Sequence, residues 1–89
     1  MGAHALRTLG GPQPLIAQTN AKGDPIALKR PSWRAARHVV SVEDTWRIDD
    51  EWWRERPIAR IYMLLRLEDD LLITVYHDLF NDTWFEQRG

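Results

Sequence analysis

The chain has 89 residues, no cysteine and a formal net charge of −1. That length allows a single domain with a modest core, and the absence of cysteine excludes disulfides, thiolate metal sites and cysteine nucleophiles and fits a reducing cytoplasm. The near-neutral charge excludes a strongly basic nucleic-acid binder, and no apolar run approaches the roughly 20 residues of a membrane-spanning helix, so a cytoplasmic protein with no membrane partner is expected.

Residues 1–13 close on GGPQ, which is turn and linker chemistry. They are expected to form a flexible tail ahead of one small domain over 14–89. PLIAQTNAKGDPIALKR then reads as two short apolar runs around TNAKGD. Asn20, Gly23 and Asp24 suit a turn, which predicts a hairpin with Pro25 at the start of its second strand, where a missing N–H is tolerated. RAARHVVSVEDTWRI is rich in β-branched residues and predicts a strand near 36–43. A helix from Ser41 competes, because SVED resembles an N-terminal capping box with Asp in place of Glu; Pro57 would end it near Arg56. The strand is the better reading, followed by an irregular or single-turn helical piece across Asp49–Trp53.

The strongest pattern is IARIYMLLRLEDDLLITVYHDLF. Ile61, Met63, Leu65 and Leu67 share one face of a strand, and Arg60, Tyr62, Leu64 and Arg66 share the other. A three-residue loop at Glu68–Asp70 sets Leu67 opposite Leu71, Leu65 opposite Ile73 and Met63 opposite Val75. On the other face it sets Tyr62 opposite Tyr76 and Arg60 opposite Asp78, which are expected to pair. A shorter loop mixes apolar and polar faces, and register follows the buried face. Asp70 then takes the left-handed position that Asp tolerates. FNDTWFEQR supplies an Asn-Asp turn and a last strand, Thr83–Gln87. The fold class is therefore all-β, a small antiparallel barrel or sandwich of five to six strands with at most one short helical turn. The second face of this meander also carries Leu64, Leu72 and Phe80. Coverage by the N-terminal hairpin is the simpler expectation for most of it; an exposed binding surface is the alternative.

Chemistry is sparse. His77 and Asp78 point to opposite strand faces, which is poor for chelation. Asp78, Glu86 and Arg88 have the acid, acid-x-base order of some metal-dependent nucleases, but solvated edge charges are the better reading. No phosphate loop, nucleophile elbow or zinc motif is present. No catalytic residue, metal ligand or cofactor is implied. Two binding surfaces remain. Trp52, Trp53, Arg56, Arg60, Tyr62 and Tyr76 combine arginine and aromatic types that dominate protein interfaces. One of the adjacent tryptophans is expected to seal the core and the other to stay exposed. Lys29, Arg30, Trp33, Arg34 and Arg37 lie in a stretch without acids and offer a basic aromatic strip for single-stranded nucleic acid, provided that Trp33 is exposed.

The anchors TWRIDDEWWRERPIARIYM, LLITVYHDL and TWFEQR resemble a family of short bacterial proteins of unassigned function. The matching positions run from Gly23 and Pro25 through Trp46 to Trp53, Pro57-Ile58, Arg60, Tyr62, Thr74 to Tyr76, Asp78 and Trp84 to Gln87. A weaker form of the pattern, kept at Ile48, Trp52-Trp53, Arg60, Tyr62, Val75-Tyr76 and Trp84-Phe85, is similar to the C-terminal segment of ImuB-type proteins. These are catalytically defective relatives of Y-family polymerases in a mutagenic, damage-tolerant replication cassette. Glu86-Gln87 departs from their Leu-His-Gly ending, and this chain carries no polymerase body. The resemblance implies a stand-alone accessory or adaptor module that contacts an error-prone polymerase or its adaptor.

Overall fold

A computed structural model describes residues 11–50, 53–55 and 57–87. Six strands follow in order: β1 (Gln13–Thr19), β2 (Pro25–Lys29), β3 (Arg37–Asp50), β4 (Ile58–Leu67), β5 (Leu72–Asp78) and β6 (Thr83–Gln87). Each pairs antiparallel with its neighbours in sequence, and β1 returns to β6, closing a six-stranded barrel. There is no helix among the described residues.

The turns form where the local chemistry favours them. The Asn20 side chain accepts hydrogen bonds from the Lys22 and Asp24 N–H groups, and Gly23 adopts φ 88°, open to glycine without steric cost. Between β4 and β5, Leu67 donates its N–H to the Leu71 carbonyl and Asp70 sits at φ 68°. Leu65 lies opposite Ile73, Met63 opposite Val75, Tyr62 opposite Tyr76 and Arg60 opposite Asp78. This is the register expected from alternation. Before β6, the Asp78 carboxylate accepts from the Phe80 and Asn81 N–H groups, and Asp82 takes φ 53°.

The core lies inside the barrel. Leu28, Leu65, Leu67 and Val75 are fully buried, with Leu15, Met63 and Ile73 beside them. Burying such side chains contributes roughly 1.5–3 kcal/mol each. Leu15 and Leu28 come from the N-terminal hairpin, so the hairpin covers the Met63–Leu65 face. The expectation that it covers the Tyr62–Leu64 face is therefore corrected. Closure needs an aliphatic interior narrow enough for side chains to fill, and the face carrying Arg60 and Arg66 becomes the outside.

Two further expectations change. The strand expected near 36–43 runs as β3 to Asp50, so Asp49 and Asp50 are not an irregular or helical piece. The backbone of β4 supplies partners along this whole length, ending with Asp50 opposite Ile58. Register shifts at Val39/Ser41 and Val42/Asp44 break the simple alternation that would have marked the strand. The capping box at Ser41 does not form; Ser41 lies in the strand and its hydroxyl donates to Glu43. At the start, Gln13 is already paired opposite Glu86, so the domain begins one residue earlier than the 13/14 boundary. The rest of the expected tail, residues 1–10, lies outside the described residues.

Candidate functional site

The barrel's outer surface carries one continuous row of rings. Pairing sets Trp46 of β3 opposite Tyr62, Tyr62 opposite Tyr76, and Tyr76 opposite Phe85 of β6. Ring centroids lie 5.6 Å, 5.0 Å and 5.1 Å apart along this row. Directly opposite residues share a face, which is why one ring per strand aligns across four strands. The row continues to Pro14, opposite Phe85. Tyr76 is its floor, 3% exposed, while Trp46 at the other end is 39% exposed with Ile48 beside it.

Arg60 lies across this row. Its guanidinium sits 4.6 Å from the Tyr76 ring centroid and donates to the Tyr62 hydroxyl at 3.3 Å. The bond to Tyr62 holds the Arg60 guanidinium above its ordinary range, while burial raises the Tyr76 phenol. Asp78, opposite Arg60, directs its carboxylate to the Phe80 and Asn81 turn instead of forming the expected cross-strand pair. Burial pushes the Asp78 carboxyl up, but the turn hydrogen bonds and the charge of Arg60 outweigh this and hold it below its ordinary value.

Of the expected partner-binding residues, Arg60, Tyr62 and Tyr76 are brought together. Trp53 is 65% exposed in the turn between β3 and β4. Trp52 and Arg56 lie outside the described residues, and so does the expected division of work between the two tryptophans. Sequence reasoning missed Trp46 and Phe85. Extending the register arithmetic from Tyr62 and Tyr76 to both neighbouring strands finds them, once β3 is allowed to reach Asp50.

The basic strip takes a different form. Trp33 is half-buried against the core, with the Arg37 guanidinium 4.0 Å and that of Arg30 4.9 Å from its ring centroid. Arg30 donates twice to the Glu86 carboxylate, at 2.6 Å each, and Arg37 pairs with Asp69 at 2.6 Å. Lys29 donates to the Arg30 carbonyl, and Arg34 is exposed. Two of the strip's four cations, Arg30 and Arg37, are thus paired with carboxylates, and its tryptophan packs against the core.

Glu86, expected as a solvated edge charge, is 4% exposed and closed by Arg30. Burying a carboxylate is tolerable only with such a partner. Asp78 and Glu86 lie on opposite faces of their sheet, so they do not form the nuclease-like grouping; Arg88 lies outside the described residues. His77 is half-buried, stacks on Trp84 at 4.4 Å and contacts Asp82 at 2.7 Å. Among the described residues, no group of three or more His, Cys, Asp or Glu could hold a metal, and no helix is long and apolar enough to cross a membrane. No protein-family model, curated protein or solved structure matches the chain.

Proposed function

We propose that this barrel is a non-catalytic accessory or adaptor module that binds a protein partner through its outer aromatic face. The observation that carries this reading is the row Trp46–Tyr62–Tyr76–Phe85 in register on the outside of the barrel, crossed by Arg60. A barrel needs aliphatic packing only on its inside, which Leu65 and Val75 supply. Rings and an arginine on the outside offer rigid area at low entropic cost and a donor for specificity. Trp46, Ile48 and Trp53 make the accessible part, and Tyr76 is the floor that fixes Tyr62 and Arg60.

The biological setting rests on the resemblance alone. It is damage-tolerant replication in the cytoplasm, beside an error-prone polymerase or its adaptor. The test is capture of the purified adaptor of such a cassette by the parent chain and by Trp46→Ala and Arg60→Glu. Both variants should melt close to the parent and lose capture. Tight, salt-sensitive binding of single-stranded DNA that disappears with Arg34→Ala and Arg37→Ala would instead favour a nucleic-acid-binding barrel.

A further inference from the structure

The outer aromatic face ends at β3, one edge of which is largely unpaired among the described residues. β2 pairs with β3 only through Ala27 opposite His38 and Leu28 opposite Arg37. From Val39 to Asp50, β3 is paired with β4 along one edge, and no strand among the described residues lies along the other. Every residue from Val42 to Asp50 is exposed. Register shifts confine themselves to the start of this stretch, so Asp44–Asp50 runs regularly. Alternate residues of a strand direct N–H and C=O to the same edge. The Thr45 N–H is taken by the Asp44 carboxylate at 2.9 Å, which marks Thr45, Arg47 and Asp49 as the residues facing away from β4.

Pro and Lys are the strongest blunting residues on such edges, beside other charges and bulges. This one has neither between Val42 and Asp50. Its own residues are mostly acidic, Glu43, Asp44, Asp49 and Asp50 against the single base Arg47, and Glu43 pairs with Arg66 of β4 at 3.5 Å. Arg47 is itself bound by Asp49 at 2.7 Å. On the outer face the edge reads Asp44, Trp46, Ile48, Asp50, so the apolar pair shared with the ring row is flanked by carboxylates.

We infer that the edge of β3 away from β4 accepts an extended basic peptide segment as an added antiparallel or parallel strand, one face of which carries two apolar residues at alternate positions flanked on the same face by Lys or Arg. This deepens the proposed function and rests on it, because Trp46 and Ile48 belong to both surfaces. Backbone hydrogen bonds to the N–H and C=O groups of Arg47 and Asp49, and to the Thr45 carbonyl, give the affinity, as in other strand-addition complexes. Side chains of the added strand lie about 5 Å from those of β3. Its cations meet Asp44 and Asp50, and its apolar residues meet Trp46 and Ile48. A second copy of β3 is a poorer occupant, because it brings the same surplus of acid to the contact.

The test uses two synthetic peptides of about nine residues in which threonine fills one face and the other face reads Lys, Val, Val, Lys in one peptide and Glu, Val, Val, Glu in the other. Amide hydrogen exchange is read residue by residue, with affinity from tryptophan fluorescence. The lysine peptide should bind and slow exchange at Arg47 and Asp49, weakening with salt, while the glutamate peptide should not bind. The double variant Asp44→Lys and Asp50→Lys should lower affinity for the lysine peptide about tenfold and admit the glutamate peptide. Arg47→Pro, which removes one outward N–H, should abolish protection; should it unfold the barrel, the charge-reversed pair still decides. Failure of the lysine peptide to bind, equal binding of both peptides, or protection confined to strands other than β3 would overturn the inference. So would protection of β3 that grows with protein concentration alone, which identifies a second copy as the occupant. If the edge fails while Trp46→Ala still abolishes adaptor capture, the outer-face reading stands. If the edge is protected while Trp46→Ala and Arg60→Glu leave capture unchanged, strand addition stands and the outer-face reading falls.

Discussion

The two faces of β4 differ in what they carry. Met63, Leu65 and Leu67 point inward and are buried, while Arg60, Tyr62, Leu64 and Arg66 point outward and stay half-buried. Neighbouring strands repeat the division: Val75 lies inside and Tyr76 outside, Glu86 inside and Phe85 outside. The inner face closes a barrel with aliphatic volume and one compensated charge. The outer face has aromatic area beyond what closure requires. On the proposed function, stability and recognition fall on alternate residues of the same strands, so substitutions on each should have separable effects.

The largest effect is expected inside. Leu65→Ala should lose about 2–5 kcal/mol, enough to unfold much of so small a domain, and denaturant melts measure it directly. Next comes Glu86→Ala, which leaves Arg30 without its buried partner and should cost about 3 kcal/mol. If Glu86→Ala melts like the parent, the carboxylate is not part of the closed interior. On the outer face, Trp46→Ala removes one stacked contact and should cost only about 1 kcal/mol, while partner capture is lost. A larger melting loss than that of Glu86→Ala would erase the contrast between the faces.

The smallest effect is a pH dependence at the turn before β6. Asp78 has a folded-state value below its ordinary 3.8, so its contribution is fully present above that value and is lost as pH falls through the lower folded value. Parent and Asp78→Asn melts should therefore differ at neutral pH and converge in strong acid. A difference that persists unchanged into strong acid would remove the ionised carboxylate from the account.

Much of this contrast was legible in the sequence where alternation was unbroken. Ile61 to Leu67 and Leu71 to Val75 fix the β4–β5 register, because only one loop length keeps both apolar sets together. Asn20, Gly23, Asp70 and Asp82 mark their turns through backbone preference. Legibility stopped where the pattern was interrupted or where partners were distant. The register shifts beside Ser41 and Val42 hid the continuation of β3 to Asp50, and with it Trp46. Closure by the N-terminal hairpin is a long-range event, so alternation alone could not assign which face became the interior. Arg30 and Glu86 meet only because the barrel closes, so neither residue's neighbours announce the pair.

The most direct test of the outer face is equilibrium capture of the purified cassette adaptor, measured in parallel with melting, for parent, Trp46→Ala and Leu65→Val. The expected result is that Trp46→Ala keeps the fold and loses capture, while Leu65→Val loses stability and, at temperatures where it remains folded, captures like the parent. Undiminished capture by folded Trp46→Ala would contradict the account.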